Sequence, residues 1–316
     1  MAKGETKGET KARAQAFFVR SNAWGFFTLA IDWAAALGLI ALAVIADRAL
    51  VAADQPFVVR AIVYTGSVWL IGAAQFTIGE AIMHEAAHYN LFKTKRLNDY
   101  AEILFAYPFF YQVSVYRADH FAHHRLLLGE GDYIPIIYER WGFTRHRPSI
   151  LWLWLLRPML FFFSAWFYLT IFFKPRLKMI VFWGPVLATA AYFHALELIA
   201  LYWIVPMLWT FPTWLFWSET SDHLFAATGT RTKTGWFWNL IGHNQGLHEL
   251  HHEYPSIPWY RLRRARRELP YPGQLIATSL LDTYRQLAAG SRSSMEAAAK
   301  PPFTRSAPPE ARAMRD

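Results

Sequence analysis

Three charge-poor apolar runs of bilayer length govern what this chain can become. Trp24 to Ala46 is nearly all apolar, residues 61 to 79 carry no charge, and Met179 to Trp217 is apolar for almost twice that length. A helix crossing ~30 Å of hydrocarbon needs about 20 such residues, because lipid offers backbone N–H and C=O groups no partner outside the segment. The third run is therefore a hairpin. The expected fold class is an all-α integral membrane protein with four transmembrane helices in two hairpins, at about 24–46, 61–82, 179–196 and 199–217. Asp32 interrupts the first run; a carboxylate at mid-depth costs at least ~2.5 kcal/mol, which places it near the cytoplasmic interface. His194 and Glu197 fall at the turn of the second hairpin, where i,i+3 neighbours form an interfacial ion pair. Residues 101–116 and 150–173 are apolar too, but the first stretch is too short to span and the second holds Arg157 and Pro158. Both read as re-entrant or interfacial helices.

This threading leaves residues 1–23, 84–178 and 218–316 on one face, together with nearly all the Lys and Arg. Retention of positive charge makes that face cytoplasmic, both termini and a histidine-rich cap included. The chain then divides into three parts. Residues 1–23 form a basic, disordered cytoplasmic leader without the apolar core and cleavage site of a signal peptide. The membrane domain covers 24–270, and 271–316 is a C-terminal helix and a disordered tail, rich in Ala, Ser, Arg and Pro after Leu287. The net charge of +9 does not point to nucleic acid, since the aromatic residues lie inside the apolar runs rather than among the basic ones. With no cysteine, disulfides, thiolate zinc sites, iron–sulfur clusters and cysteine nucleophiles are excluded, and any metal is held by His, Asp or Glu.

Of the 12 histidines, all but His194 fall on the cytoplasmic face, and eight occupy three clusters. His84-Glu-Ala-Ala-His88 continues the second span and puts two imidazoles at i and i+4 on one helical face. His120-Phe-Ala-His123-His124 and His248-Glu-Leu-His251-His252 each gather three within about a turn. Neutral imidazole ligates iron, copper, nickel and zinc, and eight exceed the four to six positions of one ion, so two metals are implied. Glu219-Thr-Ser-Asp-His223 leaves the fourth span with Glu219 and His223 at i and i+4, which makes His223 a ninth ligand. His243 either ligates or hydrogen-bonds behind the ligands. Glu85, Asp119, Asp132, Glu219, Asp222 and Glu249 are acidic neighbours able to fix imidazole tautomers. His146, alone among Arg and Pro, reads as a surface residue.

These boxes, HEAAH, HFAHH and HELHH, with the last following a transmembrane hairpin, resemble the membrane fatty acid desaturase and hydroxylase family over about residues 60 to 270. The strings HHRLLLGEGDYIP (123–135) and HNQGLHELHHEYPSIPW (243–259) are most similar to short lipid desaturases of the dihydroceramide, sphingolipid type. The resemblance implies two irons on the box histidines, O2 as co-substrate, and a lipid chain in a tunnel beneath the metals. It also implies electrons from a separate ferredoxin or cytochrome b5-like donor and its reductase, as no heme, flavin or nicotinamide motif is present. Acyl-CoA desaturases commonly carry Asn four residues before the additional histidine, where this chain has Glu219, which leaves water or carboxylate ligation of the second metal open.

The ligand set alone serves desaturation, lipid hydroxylation and carotenoid hydroxylation or ketolation, and does not choose among them. HEAAH also fits the HExxH zinc-protease pattern with Glu85 as base, but that mechanism needs three protein ligands and leaves two boxes idle. A metal transporter would need ionisable residues along the spans, which, apart from Asp32, lack them. The Arg261, Arg263, Arg264, Arg266 and Arg267 cluster suits either an acidic electron donor or anionic lipid. Trp236 and Trp238 are weighed, without assignment, as a cover for the substrate mouth.

Overall fold

A computed structural model describes residues 7–145, 148–269 and 275–299; His146 and the tail from 300 onward lie outside the described residues. The chain is mostly helical, and three helices are long and apolar enough to cross a membrane. After a short helix α1 (Lys7–Gln15), these are α2 (Asn22–Ala52), α3 (Phe57–Ala87) and a later one, Leu196–His223. Ser21 caps α2 by accepting from the Trp24 N–H, satisfying one of the free donors of the first turn. A four-residue link returns the chain into α3, and Arg60 pairs with Asp47 at 3.1 Å across the turn. Near its end α3 loosens into a π-turn, Thr77–Ile82, before the first histidine box.

The stretch 101–116 is not one interfacial helix. It breaks into short turns, Glu102–Phe105 and Tyr107–Phe109, ended by left-handed Phe110, and then enters α4 (Val113–Leu126). Helix α5 (Tyr133–Arg140) follows, capped by Asp132. The stretch 150–173 is a bent pair, the shape of either a broken span or a re-entrant segment: α6 (Leu151–Met159) and α7 (Phe161–Ile171) meet at 90°. The helices bend where Pro158 stands, since a proline ring removes an N–H from the ladder.

The second hairpin departs from expectation. The segment expected to span at 179–196 is α8 (Leu177–Tyr192), about 24 Å long at helical rise and short of the ~30 Å needed. The turn comes at residues 193–195, with His194 left-handed at φ 53°, so α9 (Leu196–His223) starts three residues before the expected 199. Among the described residues His194 and Glu197 form no ion pair, because that left-handed turn takes His194 off the helix that carries Glu197. A two-stranded parallel pairing of β1 (Thr232–Lys233) with β2 (Ile276–Ala277), and the helices α10 (Trp236–Ile241), α11 (His248–Glu253) and α12 (Trp259–Glu268), complete the cap. Helix α13 (Leu280–Ala299) runs well past Leu287, where the sequence suggested a tail.

The leader is not disordered over its described part. Ala14 and Phe17 are buried against Leu247, Leu250, Ile257, Leu262, Ala265 and Leu269 of the cap. Arg13 donates to the Glu268 carbonyl, and Arg20 donates to Asn90 Oδ1 at 3.0 Å. Two apolar residues in a polar segment give little periodic signal, yet they suffice to dock it.

α3 and α9 cross at Gly72, where an added Cβ would lie 2.0 Å from Thr210 Oγ1 and 2.9 Å from the Phe211 nitrogen. Thr210 Oγ1 in turn donates to the Val68 carbonyl at 2.7 Å. No atom lies within 4 Å of the corresponding point at Gly66. Gly72→Ala should therefore destabilise the fold by about 1–3 kcal/mol through overpacking. Gly66→Ala should be neutral or stabilising by up to ~1 kcal/mol. Thermal unfolding of the two variants in one detergent separates the outcomes.

Candidate metal centre

The ends of α3 and α9 rise side by side and deliver His84, His88 and His223 to one level, where α4 and α11 bring the other histidines. In one group the ring nitrogens of His84, His88, His120 and His251 lie within 4.8 Å of one another. His124 adjoins it, its Nε2 3.0 Å from that of His120 and 3.1 Å from that of His251. In the other group the nitrogens of His123, His223, His248 and His252 lie within 4.8 Å of one another. The rings of His124 and His252 stack 4.1 Å apart where the two groups meet.

Hydrogen bonding fixes which nitrogens face inward. His123 Nδ1 donates to Asp132 Oδ2 at 2.8 Å, and His223 Nδ1 donates to the Gly229 carbonyl at 2.7 Å. Both Nε2 atoms therefore carry a bare lone pair, and they stand 3.1 Å apart; His248 Nε2 is 2.8 Å from His223 Nε2. Lone pairs that close with no proton between them repel, and a cation among them reverses the sign. With metal–nitrogen bonds of about 2.0–2.1 Å, neighbouring ligands stand about 3.0–3.4 Å apart, close to the spacing seen. The donor set is all imidazole, which suits iron, copper, nickel or zinc.

Burial first, and then the neighbouring imidazoles, hold His120, His248 and His251 well below the usual histidine range, and bring His124 down to about 3. These four rings are neutral ligands before any metal binds. Metal affinity at the group of His120, His124 and His251, probed with Co²⁺ or Zn²⁺, should then change by less than about twofold between pH ~8 and ~6, since no bound proton is displaced. Titration with either ion at the two pH values checks this.

Carboxylates support the rings from behind. Although burial opposes it, hydrogen bonds from His123 and from the Leu128 and Ile134 N–H groups hold the Asp132 carboxyl below its ordinary range. The Tyr116 hydroxyl donates to Glu80 Oε1 at 2.6 Å and lies 3.4 Å from His84 Nδ1, linking that carboxylate to the ring. Asp222 pairs with buried Lys233 at 2.9 Å and sits 4.0 Å from His248 Nδ1. Glu80 and Tyr116 did not stand out in the sequence. The signal was present: Glu80 precedes His84 by one turn just as Glu219 precedes His223.

The remaining candidates are placed elsewhere. His243 belongs to neither group; its Nε2 hydrogen-bonds Asp32 Oδ2 at 2.7 Å and its ring lies 4.3 Å from Trp259. Asp32 is thus a paired residue joining α2 to the cap, rather than a lone interfacial carboxylate. Glu85 Oε2 accepts from the Trp259 N–H at 3.1 Å and takes no part in either group. Glu249 is half-buried and also outside both groups. Asp119 and Glu219 line a cavity of about 320 Å³ whose floor is formed by His84, His120, His123, His223 and His248 with Glu80. Glu219 Oε1 is buried there without a hydrogen-bond partner. Tyr111, Trp141, Phe167, Phe172 and Leu215 form the apolar walls, and Arg140 and Lys174 are at the rim. Trp236 and Trp238 do not line this cavity, so neither covers its mouth; Trp238 packs instead on Trp214.

The profile of the family described as fatty acid desaturase matches residues 59–274, a stretch that contains all nine converging histidines. The chain belongs to the fatty acid desaturase family. It is also 28% identical over 241 residues to the dihydrorhizobitoxine desaturase of Bradyrhizobium elkanii, covering 65% of this chain and 67% of that protein. The chain is therefore an oxidoreductase of desaturase type, from a family of membrane-associated, iron-using enzymes that act on lipids. Within this desaturase the Asp132→Asn change should weaken metal binding at the His123 group by about 10–100-fold and leave the other group intact. Metal counts after graded chelator dialysis would reveal two unequal sites in the variant.

Proposed function

We propose that this protein is an O2-dependent membrane desaturase with two irons that introduces a double bond into an acyl or other lipid chain. The observation that carries this reading is the pair of bare-nitrogen imidazole groups opening on one cavity with apolar walls. His84, His88, His120, His124 and His251 would hold one iron, and His123, His223, His248 and His252 the other. Bound there, iron supplies the oxygen-activating redox chemistry that removes hydrogen from an unactivated C–H bond.

The protein's own part is positional. Trp141, Phe167, Phe172 and Leu215 hold an aliphatic chain against the histidine floor and keep bulk water from it. The Tyr116 hydroxyl holds its proton toward Glu80, so the His84 Nδ1–H keeps an acceptor and its Nε2 stays turned to the metal side. Arg140, Lys174 and Asp119 put polar groups at the rim, where a headgroup would remain in contact with water. Electrons come from a separate ferredoxin or cytochrome b5-like protein with its reductase. Helix α9 supplies a crossing beside α2 and α3, with the shorter α8 leading into it, and the clustering of Lys and Arg beside the histidine boxes supports a cytoplasmic cap with both termini on that side.

The desaturase relative favours loss of hydrogen over hydroxyl insertion as the outcome. Expression with a compatible reductase system, followed by lipid mass spectrometry, tests this against a His251→Ala His252→Ala variant. A lipid class lighter by two mass units, absent with the variant, is expected. A gain of sixteen would reassign the enzyme as a hydroxylase, and purified protein without iron would remove the metal assignment.

A further inference from the structure

The ion pair of Arg60 and Asp47 marks one edge of the membrane-crossing part of α3, because charges settle at the interface. Thr77 lies 17 residues further along that helix, about 26 Å at helical rise against ~30 Å of hydrocarbon. Its Oγ1 donates to the Ile241 carbonyl at the end of α10. Phe237 and Trp238 of α10 also pack on Trp214, nine residues below His223 on α9. Two independent contacts thus hold α10 at the cap-side edge of the hydrocarbon. From there Trp236 and Leu240 point outward, 73% and 62% exposed.

Beside α10 lies α12, whose Leu262 and Ala265 are buried while Arg263, Arg264 and Arg267 are exposed and Arg266 is half-buried. The two helices enclose an open cleft of about 590 Å³, lined by Arg263, Arg266 and Arg267 with Trp236 and Asn239. Among the described residues Arg266 and Arg267 have no carboxylate partner. Asn239 is 6% exposed, and its Oδ1 has no hydrogen-bond donor. The cleft therefore offers guanidinium forks at headgroup depth, beside an exposed indole and leucine.

We propose that this cleft binds the headgroup of an anionic phospholipid of the phosphatidylglycerol type. The phosphate is held by Arg266 and Arg267, and an acyl chain runs down Trp236 and Leu240. An acidic protein partner matches the arginines but not the lipid-level Trp236 and Leu240 beneath them, which is why the membrane is preferred.

The test uses full-length protein, delipidated in an uncharged detergent, with phosphatidylglycerol or phosphatidylcholine added in mixed micelles. Phosphatidylglycerol should raise the unfolding temperature and stay bound in native mass spectrometry; phosphatidylcholine and inorganic phosphate should do neither. Arg266→Ala with Arg267→Ala should weaken the apparent affinity by roughly fivefold per charge removed. The double lysine variant should fall between, because it keeps charge without the planar fork. Arg264→Ala, outside the cleft, is the control for net charge and should leave binding unchanged.

Equal responses to the two lipids, an unaltered response in the double alanine variant, or an equal loss in Arg264→Ala would each overturn the site. A double variant that keeps phosphatidylglycerol but loses turnover driven by an acidic ferredoxin would assign the face to a protein partner instead.

Discussion

Mutual repulsion among neutral imidazoles is the condition the rest of the molecule has to meet. Nine rings are brought within contact, several with lone pairs directed at one another at about the spacing a metal would impose. Such an arrangement is unfavourable without a cation and survives only because other contacts fix each ring. Asp132, the Gly229 carbonyl and the Glu80–Tyr116 pair each hold the outer nitrogen of one ring. The backbone helps where it is strained: Leu127 and Leu128, both at positive φ, let the Leu128 N–H reach Asp132.

The two helices that carry the first histidines into place are held by contacts far below the metals. The Gly72–Thr210 crossing lets α3 and α9 approach closely. The cap closes over them by separate ties, with His243 on Asp32 and Glu85 on the Trp259 N–H. The site is thus built on rigid membrane helices and finished by a layer folded back onto them.

Much of this could be read in the sequence, and what could not has physical causes. The boxes are legible because i,i+4 spacing is a property of the helix itself, so His84 with His88 and Glu219 with His223 announce a shared face. Their assortment into two groups is not legible, since adjacent His123 and His124 approach different groups. The first two spans are bounded by charges, and each expected run lies within a longer helix, 24–46 in Asn22–Ala52 and 61–82 in Phe57–Ala87. The second hairpin has no charge at its turn beyond His194 and Glu197, so an apolar run alone gave no sign that α8 stops at Tyr192. The pairing of Asp32 with His243 joins residues 211 apart, and no local pattern encodes it.

The docking of the leader also bears on the order in which the molecule can assemble. Phe17 packs among residues 247–269 and Arg13 donates to the Glu268 carbonyl, so the docking of this segment waits on one made some 255 residues later. α2 and α3 can pair as soon as they leave the ribosome, but no complete imidazole group exists until the third box has been synthesised. The leader closes on the hydrophobic side of that same late segment. Closure of the cap and completion of both imidazole groups therefore coincide with the synthesis of one short segment, residues 247–269.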